Sequence, residues 1–202
     1  GSIYWHMVSK LHLAVYETIS KAVEASAENK WIDALIQHFY HINDGIGVKK
    51  SPELYGAFPT DPYSHTPKGK GAQQPGMTGQ VKEDLLTRSG ELGVKVSSGR
   101  IGFHPFLLKD SAFLKTTQRF SYLDVFQKKR EIILPEQSLA FTLCQIPIVY
   151  QISDENVVEV YQKSGSVLQF KGKNLDIKSS RSVFSRSGDI EKITVFMNHD
   201  PS

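Results

Sequence analysis

The chain reads as an α+β protein in which a short helical segment is followed by an antiparallel β-sandwich. Three observations predict this. Apolar residues recur at helical spacing up to about residue 90. After Gly93, short β-branched and aromatic runs alternate with turn residues. Between these two patterns, residues 61–80 ("DPYSHTPKGKGAQQPGMTGQ") show no core-forming pattern at all.

The first helix is expected from Ser2 to about Ala27. Met7, Leu11, Val15, Ile19 and Val23 recur every four residues and are expected to form its buried stripe, with Ser2 as a cap. "SAENK" breaks it. A second helix is expected from about Lys30 to Asn43, with Ile32, Leu35, Ile36 and Phe39 inward and Gly45 as its stop. A long loop covers residues 45–76. The third helix runs from about Met77 to Ser89, with Val81, Leu85 and Leu86 inward and Lys82, Glu83 and Asp84 on a solvated face.

Then come "GVKV", "RIGFHP", "RFSYLDV", "EIIL", "SLAFTLCQIPIVYQI", "VVEVYQ", "SVLQF", "LDI" and "KITVFM". Turn signals such as "SSG", "SDEN", "KSG", "KGKN" and "RSGD" separate them, the spacing of an antiparallel sandwich. The domain boundary is therefore placed at Leu92–Gly93, giving a helical segment 1–92 and a β domain 93–202. Three helices are thin for a core of their own, so they are expected to lean on other structure.

Composition narrows the function classes. An apolar fraction of 40% and a charged fraction of 22% in 202 residues are those of a globular domain. A net charge of +3, spread along the chain, gives no footprint for nucleic acid. No apolar run approaches the roughly 18 residues of a membrane span. Cys144 stands alone, which excludes an intramolecular disulfide and two-cysteine metal motifs. A lone cysteine fits the cytoplasm, although a secreted or periplasmic protein with one buried cysteine reads the same. The opening "GSIYWHMVSK" enters a helix pattern at once. Gly1–Ser2 is then either a cloning remnant or the start of a piece of a longer chain, and the second reading is favoured.

The candidate chemistry is concentrated in the long loop. Connections beyond about 12–15 residues are usually functional or disordered, and Tyr63, His65, Gln73 and Gln74 suit a binding surface. Lys68 and Lys70 supply charge, while Gly69, Gly71 and Gly76 let backbone N–H groups approach a ligand. Thr78 and Gln80 fall on the first turn of the third helix, where free N–H groups favour anions. "GKGAQQPG" matches neither phosphate-loop pattern, so a nucleotide site is not expected. His38 and His41 stand three apart on a helix but lack the further ligands a zinc site needs, so no metal is expected. Cys144 is expected to pack in a strand as a small hydrophobe.

The sequence "PYSHTPKGKGAQQPGMTGQ", then a last helix and "ELGVKVSSGRIGFHP" opening a β-domain, resembles the C-terminal end of the six-hairpin glycosidases. It is most similar there to the cellobiose-phosphorylase-like glycoside phosphorylases. In that family an (α/α)6 barrel ends with a "PY" segment and a "GRGGW…TGSA" loop before its final helix and β-sandwich. Pro62–Tyr63, Gly69–Lys70–Gly71 and Thr78–Gly79–Gln80 stand at the corresponding places, by motif over residues 55–110. Three departures are plain: Gln73 and Gln74 replace loop aromatics, Gln80 replaces the serine, and the general acid lies upstream of this chain.

The resemblance implies that the helices are the last of an (α/α)6-type barrel. It also implies that loop 58–80 lines one side of a saccharide or phosphate site. Asp61, Tyr63, His65, Gln73, Gln74, Thr78 and Gln80 would then contact substrate, and Lys70 and Gly71 an anion. No cofactor is called for, and inorganic phosphate is a co-substrate if the reaction is phosphorolysis. Inverting cleavage needs groups on both sides of the sugar, so this chain alone is expected to be catalytically incomplete. Its expected partners are a saccharide and either a second copy or the missing N-terminal part of a longer enzyme.

Two other classes compete. A carbohydrate-binding or structural β-sandwich module predicts an aromatic platform including Tyr150 and Tyr161. An interaction protein predicts Trp5, Trp31 and Tyr40 exposed on outer helix faces.

Overall fold

The computed structural model describes residues 2–45 and 81–198. The fold is α+β, and the chain divides into two compact units, residues 1–90 and 91–202.

In the first unit, α1 spans Ser2–Glu24, α2 Asn29–Gly45 and α3 Val81–Glu91. The α2 stripe is the expected one: Ile36, Phe39 and Tyr40 are buried, and Ile32 and Leu35 are half-buried. The α1 stripe is not. Its buried positions are Ser9, His12 and Ile19, with Tyr16 half-buried, whereas Met7 and Leu11 are exposed. The reason is geometric. A strict four-residue repeat advances about 400° per step at 3.6 residues per turn, so it winds steadily around the helix. Positions 7 and 19 therefore cannot share one narrow face.

Helix α3 also departs from expectation. Glu83, Thr87 and Gly90 are its buried positions, while Leu85 and Leu86 are 65% and 49% exposed. Glu83 is thus not on a solvated face. The spacing 83, 87, 90 is itself helical, and Gly90 lets α3 approach α1 closely. A Cβ on Gly90 would lie 2.3 Å from the ring of Tyr16.

In the second unit, β1 (Val94–Ser97) pairs with β2 (Arg100–Phe103), and β3 (Gln118–Leu123) pairs with β4 (Lys129–Leu134). The remaining strands are β5 (Ser138–Leu143), β6 (Ile146–Ile152), β7 (Val157–Gln162), β8 (Val167–Lys171) and β9 (Ile190–Met197). They form one sheet in the order β5-β6-β9-β7-β8. The expected antiparallel pairing meets one exception, because β6 and β9 are parallel. The hairpins β5–β6 and β7–β8 present oppositely directed inner strands. A strand inserted between them must run parallel to one.

Two sequence readings are corrected here. "LDI" is not a strand but the entry to α4, Ile177–Ser185. Asp176 caps it, its Oδ1 accepting from the Ser179 N–H at 2.7 Å. The inward face of α4 is Ser179, Ser180 and Val183, too polar to read as a stripe. Cys144 is not in a strand but in the two-residue β5–β6 turn with Gln145, at φ 51° and 66°. That left-handed pair is the geometry that closes tight hairpins.

The core lies on one face of the five-stranded sheet. Ile148 and Tyr150 of β6, Ile193 and Val195 of β9, and Val158 and Val160 of β7 are fully or almost fully buried there with Ile101, Phe103 and Val183. Strand β2 is held on both edges. The Leu175 N–H donates to the Ile101 carbonyl, and the Phe103 N–H donates to the Lys173 carbonyl. The Ile101 N–H donates to the Ser180 hydroxyl at 3.0 Å, and that hydroxyl donates to the Asp176 carbonyl at 2.7 Å.

Candidate functional site

The other face of the same sheet carries a different set of residues. Side chains alternate along a strand, so Pro147 of β6, Lys192 of β9 and Tyr161 of β7 point away from the core. Together with the hairpin β3–β4 they line a cleft of about 420 Å³. Tyr122, Asp124, Phe126, Arg130 and Ile132 form its second wall, and Gln145, Lys163, Gly188 and Glu191 complete its rim.

Asp124 builds the hairpin tip. Its Oδ1 accepts from the N–H groups of Phe126 and Lys128, both at 2.9 Å, and its Oδ2 accepts from Arg130 Nε at 2.8 Å. The Arg130 hydrogen bond is the largest influence and, together with the backbone donors, holds the Asp124 carboxyl below the usual carboxylate range against the opposing effect of desolvation. The same contact raises Arg130. Gln145 Nε2 donates to the Asp124 carbonyl at 3.2 Å and ties this tip to the β5–β6 turn.

Two lysines lie on the cleft's aromatic rings. Lys163 Nζ stands 5.0 Å from the centre of Phe126, and Lys192 Nζ 4.1 Å from that of Tyr161. The Tyr161 hydroxyl donates to Glu159 Oε2 at 2.5 Å, and Gln169 Nε2 donates to Glu159 Oε1 at 2.8 Å. The Glu159 hydrogen bond raises the phenol's pKa above its ordinary value. Tyr122 is raised as well, chiefly by burial. The Phe126 ring rests on Gly188, where a Cβ would fall 2.6 Å from the ring.

A second depression, of about 500 Å³, is lined by Lys95, Arg100, His104 and Asn174 beside the β1–β2 turn. His104 Nε2 lies 3.4 Å from Asn174 Oδ1. All four side chains are exposed, and a screened contact there is worth under about 1 kcal/mol.

The residues expected from the sequence to contact substrate or an anion, Asp61, Tyr63, His65, Lys70, Gly71, Gln73, Gln74, Thr78 and Gln80, lie outside the described residues. His38 and His41 are exposed, with ring centres 6.5 Å apart. Among the described residues no group of three or more His, Cys, Asp or Glu side chains could hold a metal ion. None of the described helices is long and apolar enough to cross a membrane. Tyr150 takes no part in an exposed aromatic platform, because it is fully buried. Trp31 is exposed as an interaction surface would require, but Tyr40 is buried.

Sequence reasoning missed the cleft. Its residues come from the β3–β4 turn, the β5–β6 turn, β7 and the approach to β9, which only the sheet order brings together. "SYLDVFQKK" did carry a signal, an aspartate placed to accept from the backbone of a turn.

No protein-family model matches the chain, and no curated protein matches it.

Proposed function

We propose that this chain is the C-terminal part of a carbohydrate-active enzyme of the glycoside hydrolase or phosphorylase type. In this reading α1, α2 and α3 are the last helices of an (α/α)6-type barrel, and the β unit is its sandwich domain. The 58–80 loop lines one side of a saccharide or phosphate site, and the opposite side is supplied by other helices.

One observation supports the barrel part of this reading, whose carbohydrate class rests on the sequence resemblance. The helical unit buries Ser9, His12, Glu83 and Thr87 while it exposes Met7, Leu11, Trp31, Leu85 and Leu86. In a barrel each helix is flanked on both sides, so apolar side chains facing away from one neighbour are covered by the next. Large apolar side chains left exposed on so small a unit are those that flanking barrel helices would cover.

The test is a thermal-stability titration with phosphate, sulfate and cellobiose, with Lys70→Ala and His65→Ala alongside. The expected result is a rise in Tm for the wild type that both variants blunt. A flat response in the wild type, or variants that respond as it does, makes the loop a connector.

A second reading, a non-catalytic carbohydrate-binding or structural β module, is favoured by the cleft between hairpin β3–β4 and the sheet.

A further inference from the structure

We propose that this cleft is a binding site for a neutral oligosaccharide, separate from the 58–80 loop and built entirely within the β unit. The choice of sugar as ligand class draws on the carbohydrate reading above, but the site stands on its own geometry.

Four features argue for it. The cleft's volume of about 420 Å³ lies within the roughly 300–1,000 Å³ of small-ligand sites. Both walls are preformed: one is a sheet face, and the other is a hairpin tip fixed by the Asp124 contacts and the Gln145 tie. Preformed walls spare the ligand the ordering cost of building its own site.

Charge selects the ligand. Asp124, Glu131 and Glu191 on the lining are matched by Arg130, Lys163 and Lys192. With three of each sign the lining has no net charge, so its overall field draws neither phosphate esters nor polyuronates. Sugar hydroxyls both donate and accept, and this mixture of carboxylates, cations and the Gln145 amide offers both roles.

Ring faces complete the match. Phe126 is 55% exposed and Tyr161 is half-buried, and each is covered by a lysine whose ammonium group can move to water. An axial C–H face of a pyranose can take the lysine's place. A peptide is a poorer fit, because the floor strands β6, β9 and β7 are paired on both edges and offer no free backbone.

Isothermal titration calorimetry of the full chain tests the site, using cellotetraose, maltotetraose, tetragalacturonate and inorganic phosphate as probes. The variants are Phe126→Ala, Lys163→Ala, and the loop pair Lys70→Ala with His65→Ala. Circular dichroism melts show which remain folded. One neutral tetrasaccharide is expected to bind, and Phe126→Ala to weaken it roughly tenfold, as loss of an aromatic anchor does. Lys163→Ala bares the Phe126 ring and is expected to tighten binding, and so reports on the cleft even if Phe126→Ala melts early. Unchanged affinity in this variant counts against the ring as a contact. The loop variants leave this binding unchanged. The proposal is overturned if no neutral probe binds, or if tetragalacturonate binds better. It is equally overturned if the loop variants alone abolish binding, an outcome that leaves the loop reading standing. Cleft binding with a silent loop has the opposite meaning: the site survives and the loop reading fails.

Discussion

The hydroxyl of Tyr150, on the inner strand β6, donates a 2.6 Å hydrogen bond to the carbonyl of Leu92 at the entrance to the β unit. The ring is fully buried, 6.0 Å from Phe103 and 5.3 Å from Phe141. Burial pushes its phenol far above the ordinary value, so it stays a donor at any ordinary pH. Tyr150→Phe keeps the ring and leaves the Leu92 carbonyl without this donor. The expected loss is about 1–3 kcal/mol, read from urea unfolding as a lower midpoint at unchanged slope. A loss below the scatter of replicate curves would mean that water serves the carbonyl equally well.

Ser180 should behave similarly for a different reason. It is the acceptor for the Ile101 N–H on the edge of β2. Ser180→Ala buries that donor unpaired, again at about 1–3 kcal/mol. Amide exchange at Ile101 should accelerate more than at Ile193, and equal acceleration at both would argue for a merely global effect.

Gly93 has two independent reasons to be glycine. Its φ is 70°, and a Cβ would fall 2.2 Å from the His104 carbonyl carbon and Pro105 nitrogen. Left-handed geometry alone costs a non-glycine residue about 1–2 kcal/mol, so Gly93→Ala should cost more than about 2 kcal/mol. Gly99, at φ 75° with nothing near its Cβ position, should lose only the first part on the same substitution. The difference in Tm between the two variants isolates the clash.

Acid should loosen the hairpin tip before it unfolds the sheet. The Asp124 carboxyl is held below its unfolded value of about 3.9. Its stabilising contribution is therefore complete above that pH and is lost as pH falls through the lower folded value. Chemical shifts at Phe126 and Lys128 should titrate below pH 3.9 in the wild type and stay flat in Asp124→Asn. Movement of these signals at pH 5 would contradict the assignment.

The exposed leucines of α3 predict a surface effect. Leu85→Ser with Leu86→Ser should change stability by no more than about 0.5 kcal/mol per site and reduce self-association in light scattering. Thr87→Leu should instead destabilise, because Thr87 is buried and its hydroxyl donates to the Glu83 carbonyl at 2.7 Å.

Local patterns carried much of this fold and little of its arrangement. The strand runs were legible because β-branched and aromatic residues sit between turn residues, and α2 was legible because Ile32, Leu35, Ile36 and Phe39 hold one face. Helix α4 was not legible, since a helix that buries two serines has no apolar stripe to find. The inward face of α3 failed for the same reason, with Glu83 and Thr87 buried in place of Leu85 and Leu86. Strand order was beyond any local signal. The register that sets Tyr150 beside Val195 and Val158 opposite it joins segments more than thirty residues apart. The cleft inherits that difficulty, because Phe126, Tyr161 and Lys192 meet only through it.

The place of β9 in the sheet has a consequence for synthesis on the ribosome. Hairpins β5–β6 and β7–β8 are each local and can close as they emerge, but β9 is the strand that joins them. Until residues 190–197 leave the exit tunnel, β6 and β7 each carry an unpaired inner edge lined by Ile148, Tyr150, Val158 and Val160. Such edges are templates for pairing with other chains. At about 5–20 residues per second, the interval between the two hairpins and the strand that seals them lasts seconds. In that window a nascent-chain chaperone has the most to protect.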